Sequence, residues 1–187
     1  MEEHLSPSDL TRYLDLPVAA VMKAIHLGEL PAARSEDGRF SIALEDAIVF
    51  ASARGMNVYA LMRLRKKRVL VVDDDEVFAE MLEDILSGDI RIWSRRADSL
   101  LDAKAKLGEF KPHLVFLDVG LPDGSGTELL DGISSKCSPP PVVIGMSALP
   151  TGAVVDEMTR KGASGFMAKP VDPEELLACV RRHLFGE

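Results

Sequence analysis

The sequence predicts an α/β domain with a five-stranded parallel sheet over residues 68–187, preceded by a small, mainly helical domain. From Arg68 onward, five short runs rich in Val, Ile and Phe alternate with five segments of helical pattern. The central runs are continuously apolar, as in strands buried on both faces. Such alternation is typical of a parallel sheet covered by helices on both sides. The strands are predicted at Val69–Val72, Ile90–Trp93, Leu114–Leu117, Val142–Gly145 and Ser164–Met167.

Helices are predicted after each of these strands. The last has the clearest start, because Asp172 can cap it and Pro173 suits the first helical position. The five helices are predicted at Glu76–Leu86, Asp98–Leu107, Thr127–Ser134, Thr151–Lys161 and Pro173–Phe185.

Residues 1–56 form the predicted small domain, with three helices and a β-hairpin. Ser6 can cap a first helix with Pro7 at its first position. A hairpin is indicated by Asp37-Gly38 between two apolar runs. The helices are predicted at Pro7–Leu14, Val18–Leu27 and Leu44–Ser52. Residues 57–67 are predicted to be a basic, helical linker.

Composition and charge exclude several classes of protein. Hydrophobic residues make up 47% and charged residues 28%, as in ordinary globular proteins. No apolar run reaches the roughly 18 residues of a membrane helix, and no signal peptide is indicated, so a cytoplasmic location is expected. Two isolated cysteines, Cys137 and Cys179, make neither a disulfide framework nor a zinc motif.

The net charge of −8 is unevenly distributed. Residues 1–68 hold 10 Lys and Arg against 9 Asp and Glu, whereas residues 69–187 hold 12 against 21. Half of the N-terminal bases lie between Arg63 and Arg68. Nucleic-acid binding requires a positive face, so this distribution bears on the role of the first domain.

Acidic residues follow two of the predicted strands. Asp73 and Asp74 come directly after the first strand, and Asp118 follows the third. These strands are neighbours in a doubly wound sheet, so the carboxylates should converge at one edge. Clustered carboxylates need a cation, and hard oxygen ligands with open positions suit Mg²⁺.

Ser147 and Lys169 follow the fourth and fifth strands. The set then contains a carboxylate that can accept phosphorus, an ammonium group that can neutralise charge and a hydroxyl that can donate a hydrogen bond. Phosphoryl transfer needs little other protein chemistry.

Four motifs at these strand ends resemble a bacterial response-regulator receiver domain, which has a flavodoxin-like (βα)5 fold. Steps of 44, 29 and 22 residues separate Asp74, Asp118, Ser147 and Lys169. The resemblance covers about 120 of the 187 residues. Its motifs are Val72-Asp73-Asp74, Leu117-Asp118-Val119-Gly120-Leu121-Pro122, Met146-Ser147-Ala148 and Gly165-Phe166-Met167-Ala168-Lys169-Pro170.

The resemblance implies a role for each matched position. Asp118 would accept a phosphoryl group from a sensor histidine kinase or a phosphotransfer protein. Lys169 would pair with Asp118, Ser147 would turn toward the phosphoryl oxygens and Phe166 would move inward as a switch. The Lys169–Pro170 peptide bond is expected to be cis. The implied Mg²⁺ ligands are Asp73, Asp74, Asp118 and the Gly120 carbonyl.

The first domain is similar to winged helix-turn-helix domains of the excisionase and mercury-regulator type. The similarity covers about 50 residues, including Ser6-Pro7, Gly28-Glu29-Leu30-Pro31 and Arg39-Phe40-Ser41-Ile42. It implies that the second helix enters the major groove of DNA with the wing beside it. The start of that helix, Val18-Ala19-Ala20, cannot read base edges by hydrogen bonding. The side chains that could contact phosphates are Lys23, His26, Arg34 and Arg39.

Two functions therefore remain open. One is a transcription regulator in which phosphorylation of Asp118 controls DNA binding, with a homodimer formed through the receiver. The other is a signalling adaptor whose first domain binds a protein. Neither function needs an enzyme, and slow self-dephosphorylation is the only reaction implied.

Overall fold

The computed structural model describes residues 4–187, except the side chains of residues 134–136. The chain divides into two compact units, with the boundary between Lys66 and Lys67. No helix in the described part of the chain is long and apolar enough to cross a membrane.

Over residues 4–66, the first unit combines four helices with a small antiparallel sheet of strand order β1-β3-β2. Helix α1 begins with a capping box, in which Ser6 and Asp9 each accept a hydrogen bond from the other's backbone amide. The elements are β1 His4–Leu5, α1 Pro7–Leu14, α2 Val18–His26, β2 Ala33–Arg34, β3 Phe40–Ala43, α3 Leu44–Ala53 and α4 Tyr59–Leu64.

The predicted linker over residues 57–67 is helical at Tyr59–Leu64, and this helix, α4, falls within the first unit. Leu61 of this helix is fully buried in the same core as Leu10, Val21 and Ile42. An apolar side chain buried in this way ties α4 to the unit more firmly than a solvated linker would be tied.

The second unit has the predicted sheet of five parallel strands, in the order β10-β9-β6-β4-β5. A short hairpin, β7–β8, follows β6 directly. The elements are β4 Lys67–Val72, α5 Glu76–Ser87, β5 Ile92–Ala97, α6 Leu100–Phe110, β6 Leu114–Asp118, β7 Gly120–Leu121, β8 Gly124–Ser125, α7 Thr127–Lys136, β9 Val142–Ser147, α8 Gly152–Arg160, β10 Gly165–Ala168 and α9 Pro173–Phe185.

The sheet has a buried core on each face. Leu70 and Val115 point toward α6, α7 and α8, whereas Val71 and Phe116 point toward α5 and α9. This alternation explains why the central strands are apolar at every position.

The second strand of this unit lies later in the chain than its predicted position, Ile90–Trp93. The structure has it at Ile92–Ala97, and Ile90 is 82% exposed. Strand β5 lies at the edge of the sheet, where polar residues such as Ser94 and Arg96 are tolerated.

Candidate functional site

The predicted site lies at the carboxyl ends of adjacent strands. Strands β4 and β6 pair in parallel, with Val72 opposite Leu117, so Asp73 and Asp118 leave the sheet side by side. Ser147 ends β9 on the other side of β6, and Lys169 follows β10. The amide of Lys169 donates to the Ser147 carbonyl oxygen at 2.9 Å, which ties the last two strand ends together.

Lys169 joins the two carboxylates. Its Nζ lies 2.6 Å from Asp73 Oδ2 and 2.6 Å from Asp118 Oδ1. It also lies 4.6 Å from the centre of the Phe78 ring, within range of a cation–π contact. Asp73 and Asp118 are both buried, so this ammonium group supplies the compensating charge that such carboxylates require.

The protonation of this group reflects both burial and pairing. Burial raises the pKa of Asp73 above its usual value, against the opposing effect of Lys169. Burial lowers the pKa of Lys169, but its hydrogen bonds and charge interactions with Asp118 and Asp73 outweigh this effect and raise it. The lysine is therefore held in its charged form.

The buried carboxylates fit a divalent cation only in part. Asp73 Oδ1 accepts the Asp75 amide at 3.1 Å, and Asp73 Oδ2 has Lys169 Nζ as its ion-pair partner at 2.6 Å. Asp118 Oδ2 accepts the Gly120 amide at 2.8 Å. Mg²⁺ commonly takes one or two protein carboxylates and keeps several waters, which the Asp73 and Asp118 pair can satisfy.

The complete predicted ligand set is not gathered. Asp74 is exposed, and the described residues contain no group of three or more His, Cys, Asp or Glu side chains that could hold a metal ion. The structure thus brings Asp73 and Asp118 together and leaves Asp74 outside the buried pair.

Ser147 ends β9, and Phe166 lies on β10 three residues before Lys169. Ser147 Oγ accepts the Leu149 amide at 3.1 Å, which leaves its hydroxyl proton available for donation. Phe166 lies on β10, opposite Gly145 of β9, and its ring is partly buried against the core on the α8 side. The Lys169–Pro170 peptide bond is cis, which confirms the prediction.

Two residues beside the site were missed from the sequence. A methyl group on Gly126 would lie 2.1 Å from the Asp118 carbonyl oxygen, so the chain folds tightly against the backbone of Asp118. Asp123, in the β7–β8 turn, accepts the amides of Leu100 at 2.7 Å and Leu101 at 2.9 Å. From the sequence alone, Asp123-Gly124-Ser125-Gly126 is predicted only as a loop. No local signal indicates that Asp123 would bind the amides of Leu100 and Leu101.

The predicted DNA contacts lie on α2 and the β2–β3 hairpin, and two of them, His26 and Arg34, contact the Phe40 ring. His26 packs edge-on against Phe40 with ring centres 6.0 Å apart, and the Arg34 guanidinium lies 5.7 Å from the same ring. Arg39 forms an ion pair with Asp37 at 2.8 Å, so the carboxylate offsets the positive charge of Arg39 at the hairpin. Lys23 is exposed on α2.

Comparison with protein families matches residues 69–181 to the response regulator receiver domain. An uncharacterized response regulatory protein of Vibrio vulnificus is 36% identical over 115 residues, which are 60% of this chain and 46% of that protein. The chain thus spans about half the length of that relative. The chemotaxis protein CheY of Thermotoga maritima is 31% identical over 116 residues, 62% of this chain and 96% of CheY.

Solved structures show the same fold. A CheY-like receiver domain protein from Methanospirillum hungatei matches with a TM-score of 0.58 and 28% identity, over 63% of this chain and 92% of that chain. A response regulator from Burkholderia pseudomallei with a phosphorylated aspartic acid, a calcium ion and citrate matches with a TM-score of 0.57 and 27% identity, over 60% of this chain and 65% of that chain. The receiver resemblance predicted from the motifs is confirmed.

Proposed function

The chain belongs to the response-regulator receiver family through residues 69–181, and from this premise we propose that Asp118 accepts a phosphoryl group from a sensor histidine kinase or a phosphotransfer protein. The observation that carries the proposal is the position of Lys169 Nζ, 2.6 Å from both Asp73 and Asp118. Lys169 is partly buried between the two strand-end carboxylates, so Asp118 as the nucleophile and the ammonium as the neutralising charge lie at one point.

In the proposed reaction, an Asp118 carboxylate oxygen attacks the phosphorus of a phosphohistidine. An O–P bond forms as the N–P bond breaks, and the imidazole leaves with the electron pair of that bond. Lys169 stabilises the negative charge on the transferred group, because its ammonium is held charged beside Asp118. The chain is thus a phosphoacceptor, with slow self-dephosphorylation as its only reaction.

A divalent cation, Mg²⁺ in this proposal, would be held by Asp73 and Asp118, with Asp74 and the Gly120 carbonyl as further ligands. When bound it would neutralise the phosphoryl oxygens. Ser147 would donate a hydrogen bond from its hydroxyl to the transferred group, since its Oγ already accepts the Leu149 amide at 3.1 Å. Phe166 would respond as the switch residue on the neighbouring strand.

The phosphoacceptor is tested by incubating the full chain with phosphoramidate and Mg²⁺ and measuring its intact mass. We expect one added phosphoryl group in the wild type and none in Asp118→Asn. Asp98→Asn is the matched control, because Asp98 follows the edge strand β5 and lies outside the Lys169 pair. Full phosphorylation of Asp118→Asn would contradict the assignment.

We further propose that phosphorylation controls a DNA-binding first unit. Helices α1 and α2 followed by the β2–β3 hairpin are consistent with a winged helix-turn-helix, and Lys23, His26 and Arg34 are placed to contact phosphates. A homodimer through the receiver would raise the avidity of this unit for DNA.

A protein-binding adaptor is the second candidate. It is favoured by apolar side chains exposed at both ends of α2, where Val18 is 47% and Leu27 is 60% exposed. The ion pair between Arg39 and Asp37 also reduces the positive charge of the wing.

Titration of a labelled duplex at several salt concentrations separates the two. A DNA-binding unit should lose affinity steeply with salt, and Arg34→Ala should reduce the slope by about one. Arg160→Ala, an exposed base in the second unit, should leave the slope unchanged. Absence of binding at low salt, with and without phosphorylation, would favour the adaptor.

A further inference from the structure

Gly145 lies within β9, a strand paired on both sides. It stands opposite Leu117 of β6 and Phe166 of β10. Glycine weakens a central strand, and such a position usually marks the close approach of another group. Gly145 does not have a positive φ, so its backbone conformation does not require glycine.

The reason for glycine is the space above its α-carbon. A methyl group on Gly145 would lie 2.8 Å from Cδ2 and 3.0 Å from Cε2 of the Phe166 ring, and 2.7 Å from Cε of Met158. The Met158 methyl ends a flexible side chain and can move away. The Phe166 carbons belong to a rigid ring, which must rotate as a whole.

This contact links β9, which ends at Ser147 of the proposed site, to the Phe166 ring on the edge strand β10. Gly145 lies two residues before Ser147, so both residues face the same side of β9. Phe166 lies three residues before Lys169 and is only partly buried. Because the backbone of Gly145 lies directly against the Phe166 ring, a displacement of β9 near Ser147 would also displace the ring.

We propose that Gly145 is the positioning residue that admits the Phe166 ring to its inward place on β9. Because residue 145 has no Cβ, the Phe166 ring can lie against β9 two residues before Ser147. A Cβ at position 145 would occupy the space that the ring fills. The consequence for signalling rests on the proposed function: phosphorylation of Asp118 changes the exposure of Phe166 through this contact.

The position of the ring is tested in the full chain labelled with 4-fluorophenylalanine. The Phe166 resonance is assigned among the 7 phenylalanines by its loss in Phe166→Leu. Relaxation caused by a soluble gadolinium chelate then measures ring exposure. We expect Gly145→Ala to increase this relaxation, whereas Gly108→Ala, with nothing within 4 Å of the added methyl, should not change it. Unchanged relaxation in Gly145→Ala overturns the proposal.

A second variant keeps the test decisive if Gly145→Ala folds poorly. The double variant Gly145→Ala with Phe166→Leu removes the rigid ring from the clash. It should unfold at nearly the same urea concentration as Phe166→Leu alone. If the methyl at position 145 lowers the midpoint equally with and without the ring, the ring is not what glycine accommodates and the proposal fails.

Phosphorylation provides the readout that a purely structural role would not move. With phosphoramidate and Mg²⁺, Gly145→Ala should still gain one phosphoryl group by mass but lose the change in Phe166 relaxation seen in the wild type. Retention of that change in Gly145→Ala overturns the inference. If the wild type gains no phosphoryl group, the proposed function fails instead, while the unphosphorylated chains still decide the role of Gly145.

Discussion

The α-carbon of Gly126 faces the carbonyl oxygen of Asp118 so closely that an added methyl group would lie 2.1 Å from that oxygen. Carbon and oxygen atoms that are not bonded do not approach so closely, and the opposing atom belongs to the backbone. The Gly126 amide also donates to the Val119 carbonyl oxygen at 2.9 Å. The segment after β6 therefore folds back onto the proposed phosphoacceptor in a way that only glycine permits.

Gly126→Ala should destabilise the second unit by about 1–3 kcal/mol, because the backbone must shift to accommodate the methyl group. Urea unfolding followed by Trp93 fluorescence measures this, since Trp93 is the single tryptophan of the chain and lies in the second unit. Gly108→Ala in α6 is the matched control. Its methyl meets nothing within 4 Å, so helix propensity should raise stability by up to about 1 kcal/mol. Equal midpoints for the two variants would contradict the prediction.

Lys169→Met should destabilise the second unit by about 3–5 kcal/mol near neutral pH, because it leaves the buried Asp73 and Asp118 carboxylates without their cation. Mg²⁺ should then raise the melting temperature of this variant more than that of the wild type, since a bound cation stabilises the folded state and takes over the neutralisation. Melting is compared in MgCl₂ and in NaCl of equal ionic strength.

Lys161→Met is the control for the loss of a lysine ion pair elsewhere. Lys161 pairs with Asp131 at 2.9 Å, away from the strand-end carboxylates. Its removal should leave the Mg²⁺ effect at the wild-type value. The same Mg²⁺ effect in Lys169→Met and in the wild type would show that the cation does not bind between Asp73 and Asp118.

His113 should make the stability of the second unit depend on pH. Its Nδ1 accepts the Arg68 amide at 2.9 Å. Burial first, and then the charges of Arg68 and Lys67, lower its pKa to about 4 from the usual 6.5 of histidine. Between these values the unfolded chain binds more protons, so stability falls as pH decreases through this window. Melting followed by Trp93 fluorescence should show the decrease.

His113→Asn isolates this contribution. The asparagine side-chain oxygen can accept the Arg68 amide but does not titrate, so the variant should lose part of the pH dependence. The raised pKa of Asp73 acts in the opposite direction, since its folded form binds protons more tightly, and it is common to both proteins. Identical pH profiles for the two proteins would refute the role of His113.

The order of the second unit was predictable because its signals are local. Each central strand is a continuous apolar run, and each helix has its own start, such as Asp172 before Pro173. The edge strand was misplaced because burial is not local. Ile90 continues the apolar pattern but is exposed. Arg95 and Arg96 nevertheless belong to β5, because an edge strand pairs with one neighbour only and tolerates polar side chains.

The candidate site was predictable to the extent that topology places strand ends together. Asp73, Asp118 and Lys169 each stand at or directly after the end of a strand. Parallel pairing of the strands brings these ends together at one edge of the sheet. Gly126, Asp123 and Gly145 were not predicted in their roles, because each depends on a contact in three dimensions. Asp123 and Leu100, for instance, are separated by 23 positions, and nothing near Asp123 in the sequence indicates that its carboxylate caps a helix.

Asp123 should hold the β7–β8 hairpin to the start of α6. Its two carboxylate oxygens accept the Leu100 and Leu101 amides at 2.7 and 2.9 Å, and these bonds lower its pKa. Asp123→Ala should therefore speed hydrogen exchange at both amides, since unpaired amides at a helix start open readily. The same loss should occur in the wild type as pH falls through the lowered pKa of Asp123, because the protonated group is a weaker acceptor.

The effect of Asp123→Ala should extend to Gly120, which begins the same hairpin and donates its amide to Asp118 Oδ2 at 2.8 Å. Exchange at the Gly120 amide should quicken together with exchange at Leu100, because one hairpin carries both connections. Asp98→Ala is the control: Asp98 also precedes α6 but accepts only the Ser99 hydroxyl, at 2.9 Å, among the described residues. If hydrogen exchange at the Leu100 amide becomes faster in Asp123→Ala while exchange at the Gly120 amide keeps its wild-type rate, Asp123 caps α6 without supporting the Asp118 pocket.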